Sequence, residues 1–222
     1  ADDEQAIISE FGSLLTADDH FHRMSAMLYA ERPASAGRVA TLANSEPLFA
    51  AWSAAIRKDA KTAGFVKVVP AEAQKLAGYQ FAKALWLRKT GKLKDAAKVM
   101  AEAPQDAASL IDPDAWWNER RILARSLWDA GQTKLAYKTA SMHAAQSPTS
   151  AAEAEFHAGW IALRALKDPK LAEAHFTRLL SISTTPQSLS RGYYWLGRSI
   201  AASSRDPADA YRRAAHYGTT FY

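Results

Sequence analysis

Leu127-Trp128-Asp129-Ala130-Gly131-Gln132-Thr133-Lys134-Leu135-Ala136 is the stretch that decides the fold class. Reduced to Leu127-x3-Gly131-x4-Ala136, it repeats an earlier one, Leu87-x3-Gly91-x4-Ala96. In both, a helix-periodic run stops at a glycine and a shorter alanine-rich run begins, which is how one helix ends and the next starts. Asp168-Pro169-x2-Ala172 and Asp206-Pro207-x2-Ala210 mark the same turn further on. The alanine anchors at 96, 136, 172 and 210 stand 40, 36 and 38 residues apart. One hairpin cannot bury its apolar face alone, so hairpins repeated at such a period must stack.

The expected fold is therefore all-α: a tetratricopeptide-like α-superhelix, or solenoid, of stacked helical hairpins. It is expected to form a single domain over 1–222, with a less regular helical part at 1–75 and regular hairpins at 76–222. Composition agrees. Alanine is frequent, valine and isoleucine are sparse, and Gly and Pro number only 10 and 9 in 222 residues; alanine costs least in a helix, and β-branched residues favour strands.

Capping signals cut the chain into helices of ordinary length. Thr16-Ala17-Asp18-Asp19 reads as an N-cap hydroxyl answered by a carboxylate three residues on, and Ser150-Ala151-Ala152-Glu153 has the same form. Asp112-Pro113, Asp168-Pro169 and Asp206-Pro207 each put a capping carboxylate before a proline at the first helical position. Between caps, Phe81, Leu85 and Arg88 share a face, as do Trp117, Arg121, Ala124 and Trp128, and also His157, Trp160, Ile161 and Arg164. The N-terminal part reads as helices near 3–15, 17–31, 34–43 and 46–63. Phe65-Val66-Lys67-Val68-Val69, just before Pro70, reads as a connector.

Several chemistries are excluded. With no cysteine there is no disulfide and no thiolate metal site. No His-Glu-x-x-His pattern, phosphate-cradling glycine loop or Gly-x-Ser-x-Gly occurs. Asp18, Asp19, His20 and His22 look like a metal cluster, but on a helix His20 and His22 lie about 200° apart and cannot share one ion. Glu153 and Glu155, two apart, point to different faces. Glu119 lies beside Arg120 and Arg121, which favour its ionised form, the wrong state for a general acid. No catalytic residue, cofactor site or metal site is expected, and no apolar run reaches the ~18–20 residues of a membrane span.

The net charge of +5 is unevenly spread. Residues 1–20 carry Asp2, Asp3, Glu4, Glu10, Asp18 and Asp19 with no Lys or Arg, whereas eleven Lys and Arg fall between Arg57 and Lys98. Such a basic face suits an anionic polymer or a lipid headgroup surface; a solvated helix exterior is the simpler reading. The start of the chain shows no apolar signal segment, which leaves open whether a leader was removed before Ala1 or never existed.

Aromatic residues offer the best candidates for ligand contact. Trp52, Trp86, Trp128 and Trp160 stand alone and read as core. Trp116-Trp117 and Tyr193-Tyr194 are adjacent pairs, and neighbours on a helix do not face the same side. One member of each pair is expected to be accessible. The candidate glycan-binding set is Trp116, Trp117, Arg120, Arg121, Tyr193 and Tyr194.

Three segments carry a family resemblance. Trp116-Trp117-Asn118-Glu119-Arg120-Arg121-Ile122-Leu123-Ala124-Arg125 is the first. Ala158-Gly159-Trp160-Ile161-Ala162-Leu163-Arg164, followed by Asp168-Pro169 and Ala174-x-Phe176, is the second. Arg191-Gly192-Tyr193-Tyr194-Trp195-Leu196-Gly197-Arg198 is the third and fits an Arg-x-x-Tyr-Trp-x-Gly-Arg pattern. Together they resemble the superhelical region of soluble lytic murein transglycosylases, strongly over 114–222 and more weakly earlier, as at Phe11-Gly12-x-Leu14-Leu15-Thr16-x-x-Asp19-His20.

The resemblance implies a periplasmic protein whose partner is peptidoglycan rather than nucleic acid, joined in cis to a C-terminal catalytic domain, with other cell-wall proteins as further partners. Family members cleave the bond between N-acetylmuramic acid and N-acetylglucosamine without water or cofactor, leaving a 1,6-anhydromuramoyl product; one Glu, typically followed by Ser, is acid and then base. No Glu in this sequence is followed by Ser, and Tyr217-Gly218-Thr219-Thr220-Phe221-Tyr222 stops where the catalytic domain would begin. The chain is thus expected to be the non-catalytic piece of a longer enzyme. The alternative is a tetratricopeptide-like scaffold for a protein or peptide partner.

Overall fold

The structure, a computed structural model, describes residues 2–218, with side chains from Ala6 onward; Thr219–Tyr222, the end of the terminal motif, lie outside the described residues. Among the described residues there are fourteen α-helical segments and no strand. The chain divides into two compact units, Ala1–Ala115 and Trp116–Tyr222.

The first unit holds α1 (Asp2–Phe11), α2 (Ala17–Tyr29), α3 (Pro33–Gly37), α4 (Glu46–Arg57), α5 (Thr62–Val68), α6 (Ala77–Lys89), α7 (Leu93–Glu102) and α8 (Ala107–Leu110). The second is built from α9 (Pro113–Asp129), which begins just before the boundary, with α10 (Thr133–Ser141), α11 (Pro148–Ile161), α12 (Pro169–Ile182), α13 (Pro186–Ala202) and α14 (Ala208–Ala215).

One backbone device recurs where the chain turns. In Leu87-x3-Gly91 and Leu127-x3-Gly131 the glycine has positive φ, +78° and +73°. The next residue's N–H then reaches back to the leucine carbonyl five residues earlier, the bond that closes a helix C-terminus. The same turn occurs without glycine at Met27-x3-Glu31, Ala40-x3-Asn44, Ala54-x3-Lys58 and Ile200-x3-Ser204, with φ of 49–56°. All six bonds span 2.8–3.2 Å. A seventh turn is one residue longer: α11 widens into a π turn over Ala162–Leu166, Lys167 takes φ 58°, and the Asp168 N–H reaches the Ala162 carbonyl.

The caps follow the sequence with two shifts. Thr16 and Asp19 form a reciprocal capping box. Asp112 accepts from the Ala115 N–H and Asp168 from the Leu171 N–H, at 2.8 and 2.9 Å. Ser150 does not start a helix: Ser147 is the cap and accepts the Ser150 N–H, because Pro148 takes the first helical position. Pro207 itself occupies the cap position before α14, and Asp206 accepts the Ala208 N–H.

Four expected boundaries need correction, the first because the helix placed at 3–15 ends at Phe11. The helix placed at 46–63 ends at Arg57, since Lys58 turns left-handed. The one placed at 34–43 is only Pro33–Gly37, followed by turns. Phe65–Val69 is no connector: Phe65–Val68 lie within α5, and Thr62, Val66 and Val69 are buried while Lys67 and Val68 are exposed. That spacing of four and three is a helical stripe.

In the first unit, α2, α4 and α6 meet at Tyr29, Trp52 and Phe81, whose ring centroids lie 4.7–5.5 Å apart. A side chain on Gly78 would come within 2.7 Å of the fully buried Trp52 ring, so that glycine sets how closely α6 approaches α4. In the second unit α10 packs on α11, α11 on α12, α12 on α13 and α13 on α14. Phe176 of α12 is fully buried, and Phe156 and Trp195 from the two flanking helices lie 6.3 and 6.2 Å from it.

Two glycines isolate the cost of the turn. A Cβ at Gly131 or at Gly64 meets nothing within 4 Å, but Gly131 has left-handed φ and Gly64 lies inside α5. Gly131→Ala is expected to lose about 1–2 kcal/mol, and Gly64→Ala to gain roughly 0.5–1 kcal/mol. Urea unfolding of the two variants beside the parent chain reads both signs.

Candidate functional site

The polar chemistry of the second unit gathers around α11. Its carboxylates Glu153 and Glu155, two residues apart, serve opposite neighbours as expected. Glu153 turns to α9: its Oε2 accepts the Trp117 indole N–H at 3.1 Å and its Oε1 the Arg121 guanidinium at 2.6 Å. Burial pushes the Glu153 carboxyl up, but the bonds from Trp117 and Arg121 outweigh it and hold it below the ordinary carboxylate range. His157 donates its Nδ1–H to the Glu153 carbonyl at 2.9 Å, and burial keeps its imidazole below the usual histidine range.

Glu155 turns to α12 and to the loop after α10. His175 Nδ1 lies 2.7 Å from its Oε2, and Arg178 Nε and His143 Nε2 lie 3.0 and 3.3 Å from its Oε1. The Tyr137 hydroxyl stands 2.9 Å from His175 Nε2. Arg178 Nη2 also lies 2.7 Å from His175 Nδ1, so the tautomer decides whether that nitrogen donates to the carboxylate or accepts from the guanidinium. Burial again raises the Glu155 carboxyl, and the bonds from His143, His175 and Arg178 overcome it and hold the acid far below its ordinary range. Both carboxylates are thus kept ionised. A general acid for glycan cleavage must hold a proton near neutrality; these two instead tie helices together.

Each of the six candidate glycan contacts can now be placed. Trp116, Trp117 and Arg120 are 1%, 0% and 2% exposed. The expectation that one tryptophan of the pair is accessible fails. Neighbouring positions on a helix do face different sides, but α9 is covered on both. Trp117 sits edge-on to His143 and His157, 6.0 and 5.6 Å between centroids, while Arg120 lies over the Trp116 ring at 5.8 Å. Arg121 is partly exposed and committed to Glu153. Tyr193 and Tyr194 are both half-buried on α13, with the Arg213 guanidinium over the Tyr193 ring at 5.7 Å and Arg198 donating to the Tyr194 hydroxyl at 3.0 Å.

Two concavities were not foreseen. One, about 340 Å³, lies between the start of α11, the α12–α13 turn and α13, and includes Glu153 and Arg191 in its lining. The other, about 670 Å³, lies between α12 and the turn before α14, with Lys170, Arg178 and Arg205 on its walls and Glu173 paired to Arg205. The signal for the first was a turn of hydroxyl residues, Ser183-Thr184-Thr185, six residues before an arginine. That is too common a pattern to single out.

Among the described residues no group of three His, Cys, Asp or Glu side chains is placed to hold a metal ion. Asp19 closes its capping box and His22 is exposed, as a capped helix start requires, but His20 is buried instead of solvated. Part of the basic stretch serves the fold: Lys89 donates to the Ile56 carbonyl at the end of α4, and Lys92 lies over Trp86. No protein-family model, curated protein or solved structure matches the chain.

The Glu155 cluster carries a pH signature. A carboxyl whose acidity is increased by folding stabilises the folded state above its unfolded value of 4.5. That contribution fades as pH falls through the window below it. Glu155→Gln is expected to lower stability by roughly 1.5–3 kcal/mol at pH 7. The gap from the parent chain should narrow as pH drops below 4.5, read by denaturant unfolding across that range.

Proposed function

We propose that this chain is the non-catalytic α-superhelical part of a periplasmic lytic transglycosylase. Its role is to hold peptidoglycan for a C-terminal catalytic domain that cleaves MurNAc–GlcNAc bonds to 1,6-anhydromuropeptides. The observation that carries the reading is the Arg191–Arg198 segment. Its residues are those that fit α13 to its neighbours. A Cβ on Gly192 would meet Leu179 and Leu180 of α12 at 2.7 Å, and one on Gly197 would meet the Tyr211 ring of α14 at 2.6 Å. Trp195 stacks toward Phe176, and the Arg191 guanidinium lies 4.4 Å from the Phe156 ring centroid. A motif that encodes helix-to-helix fit is what a stacked array needs, and the consecutive packing of α11 to α14 supports the solenoid arrangement.

With Trp116, Trp117 and Arg120 enclosed, the glycan-facing part of the candidate set contracts to Tyr193 and Tyr194, with the guanidinium groups of Arg198 and Arg213 beside them. A half-exposed aromatic next to hydrogen-bond donors is the pairing that holds a sugar ring. The second reading, a peptide-binding scaffold, rests on the basic groove of Lys170, Arg178 and Arg205, which suits an acidic peptide.

The chain is expected to co-sediment with purified murein sacculi well above an unrelated protein of similar charge. Replacing Tyr193 and Tyr194 together by serine should weaken retention roughly two- to tenfold for each lost ring contact of about 0.5–1.5 kcal/mol. No anhydromuropeptide should be released by this chain. Retention no better than the control, with an acidic peptide bound at the groove, would favour the scaffold reading instead.

A further inference from the structure

Two turns of the first unit lie side by side. Lys89, the last residue of α6, donates its ammonium to the Ile56 and Ala55 carbonyls in the last turn of α4, at 2.9 and 3.4 Å. The C-terminal ends of α4 and α6 are therefore adjacent. The turns that follow them, one into α5 and one into α7, share one end of the unit. Over 57–62 and 89–95 the sequence places six Lys and Arg against two Asp. Arg57, Lys58, Lys61, Lys92 and Lys94 are all exposed. What reads as a basic stretch along the sequence is thus partly a basic end in space.

Basic side chains are ordinary at helix C-termini, where they answer the negative end of the dipole. Here Lys89 already takes that task at the end of α4. None of the five exposed cations is in an ion pair among the described residues. Of the two carboxylates, Asp59 is half-buried and accepts the Lys61 backbone N–H at 2.8 Å. The charge at this end is in excess of what the fold uses, and it suits an extended anion.

The uncharged residues decide which anion. Single-stranded nucleic acid is held by rings on which bases stack. Ala60, Thr90 and Gly91 supply no ring and no side-chain amide, and Trp86 lies under the Lys92 ammonium, 5.6 Å from its ring centroid. Lipid headgroups need no such reader, because they move within the bilayer to meet cations wherever the fold puts them. None of the exposed large apolar residues falls in the two turns. Contact is therefore through charge and not through insertion, and salt must weaken it.

We propose that this end of the first unit docks on an anionic lipid surface. The two turns lie against the headgroups, and each lysine or arginine in reach of them raises affinity about fivefold. The proposal does not depend on the murein reading.

The test is co-sedimentation of the full chain with vesicles of phosphatidylcholine alone and of phosphatidylcholine with about one third phosphatidylglycerol, an anionic lipid. Retention is expected on the mixed vesicles only, and should vanish between about 0.05 and 0.5 M salt. Lys58→Gln combined with Lys61→Gln should weaken it roughly 20- to 30-fold. Lys67→Gln combined with Lys75→Gln removes the same charge elsewhere. Lys67 is at the other end of α5, and Lys75 precedes α6, whose thirteen residues run about 20 Å from there to Lys89. That pair should change retention by less than about threefold. Equal retention on the two kinds of vesicle overturns the proposal, as does retention indifferent to salt or an equal loss in the two double variants. So does an oligothymidylate strand bound more tightly than the mixed vesicles. The parent chain alone gives three of these outcomes, so a misfolded variant does not shelter the proposal. Vesicle binding without sacculus retention would reject the murein reading and keep this one.

Discussion

A single left-handed residue marks the reversal at seven of this chain's turns. Six such residues are closed by the same five-residue backbone bond, and a seventh by a bond one residue longer. Left-handed backbone is unfavourable for any residue with a Cβ, yet Glu31, Lys58, Lys167 and Ser204 adopt it. The turn persists at those positions because it gives otherwise orphaned helix carbonyls a partner and because the helices on either side hold it in place. Once the reversal points are fixed, the helix lengths between them determine which faces meet.

What those faces hold is divided between apolar fit and ionic ties. Trp52 over Gly78 in the first unit, and Leu179 and Tyr211 against Gly192 and Gly197 in the second, are places where absence of a side chain lets a large one in. Alongside them, Glu153 and Glu155 cross from α11 to α9 and α12. Buried charges give less net stability than their geometry suggests, because desolvation opposes them. Their effect here is on register: Trp117, Arg121, His175 and Arg178 can all satisfy α11 only when the helices are aligned to within an ångström or so.

The helical class and the reversal points marked by glycine were legible in the sequence, since periodicity, caps and glycine stops are local. The reversals at Lys58 and Ser204 were not, because nothing in a lysine or a serine announces positive φ; tertiary packing imposes it. The run at 65–69 by itself hides helix α5, whose buried stripe begins at Thr62. The candidate site was less legible still. Adjacency argued that Trp116 and Trp117 split between core and solvent, but whether a helix is covered on one side or two depends on residues such as Glu153, 36 positions from Trp117. The cavity beside Arg191 joins three segments whose hydroxyls look like ordinary turn residues until they are brought together.

The order of contacts in the second unit has a kinetic consequence. Where α11 touches α12, α12 touches α13 and α13 touches α14, most interactions form between segments close along the chain. Little loop entropy is spent before each contact is gained, so assembly is fast and can begin at more than one hairpin. The reverse also holds. Among the described helices α14 leans chiefly on α13 and can detach at a fraction of the global unfolding free energy, so amide exchange protection steps down from α13 to α14 instead of being lost all at once.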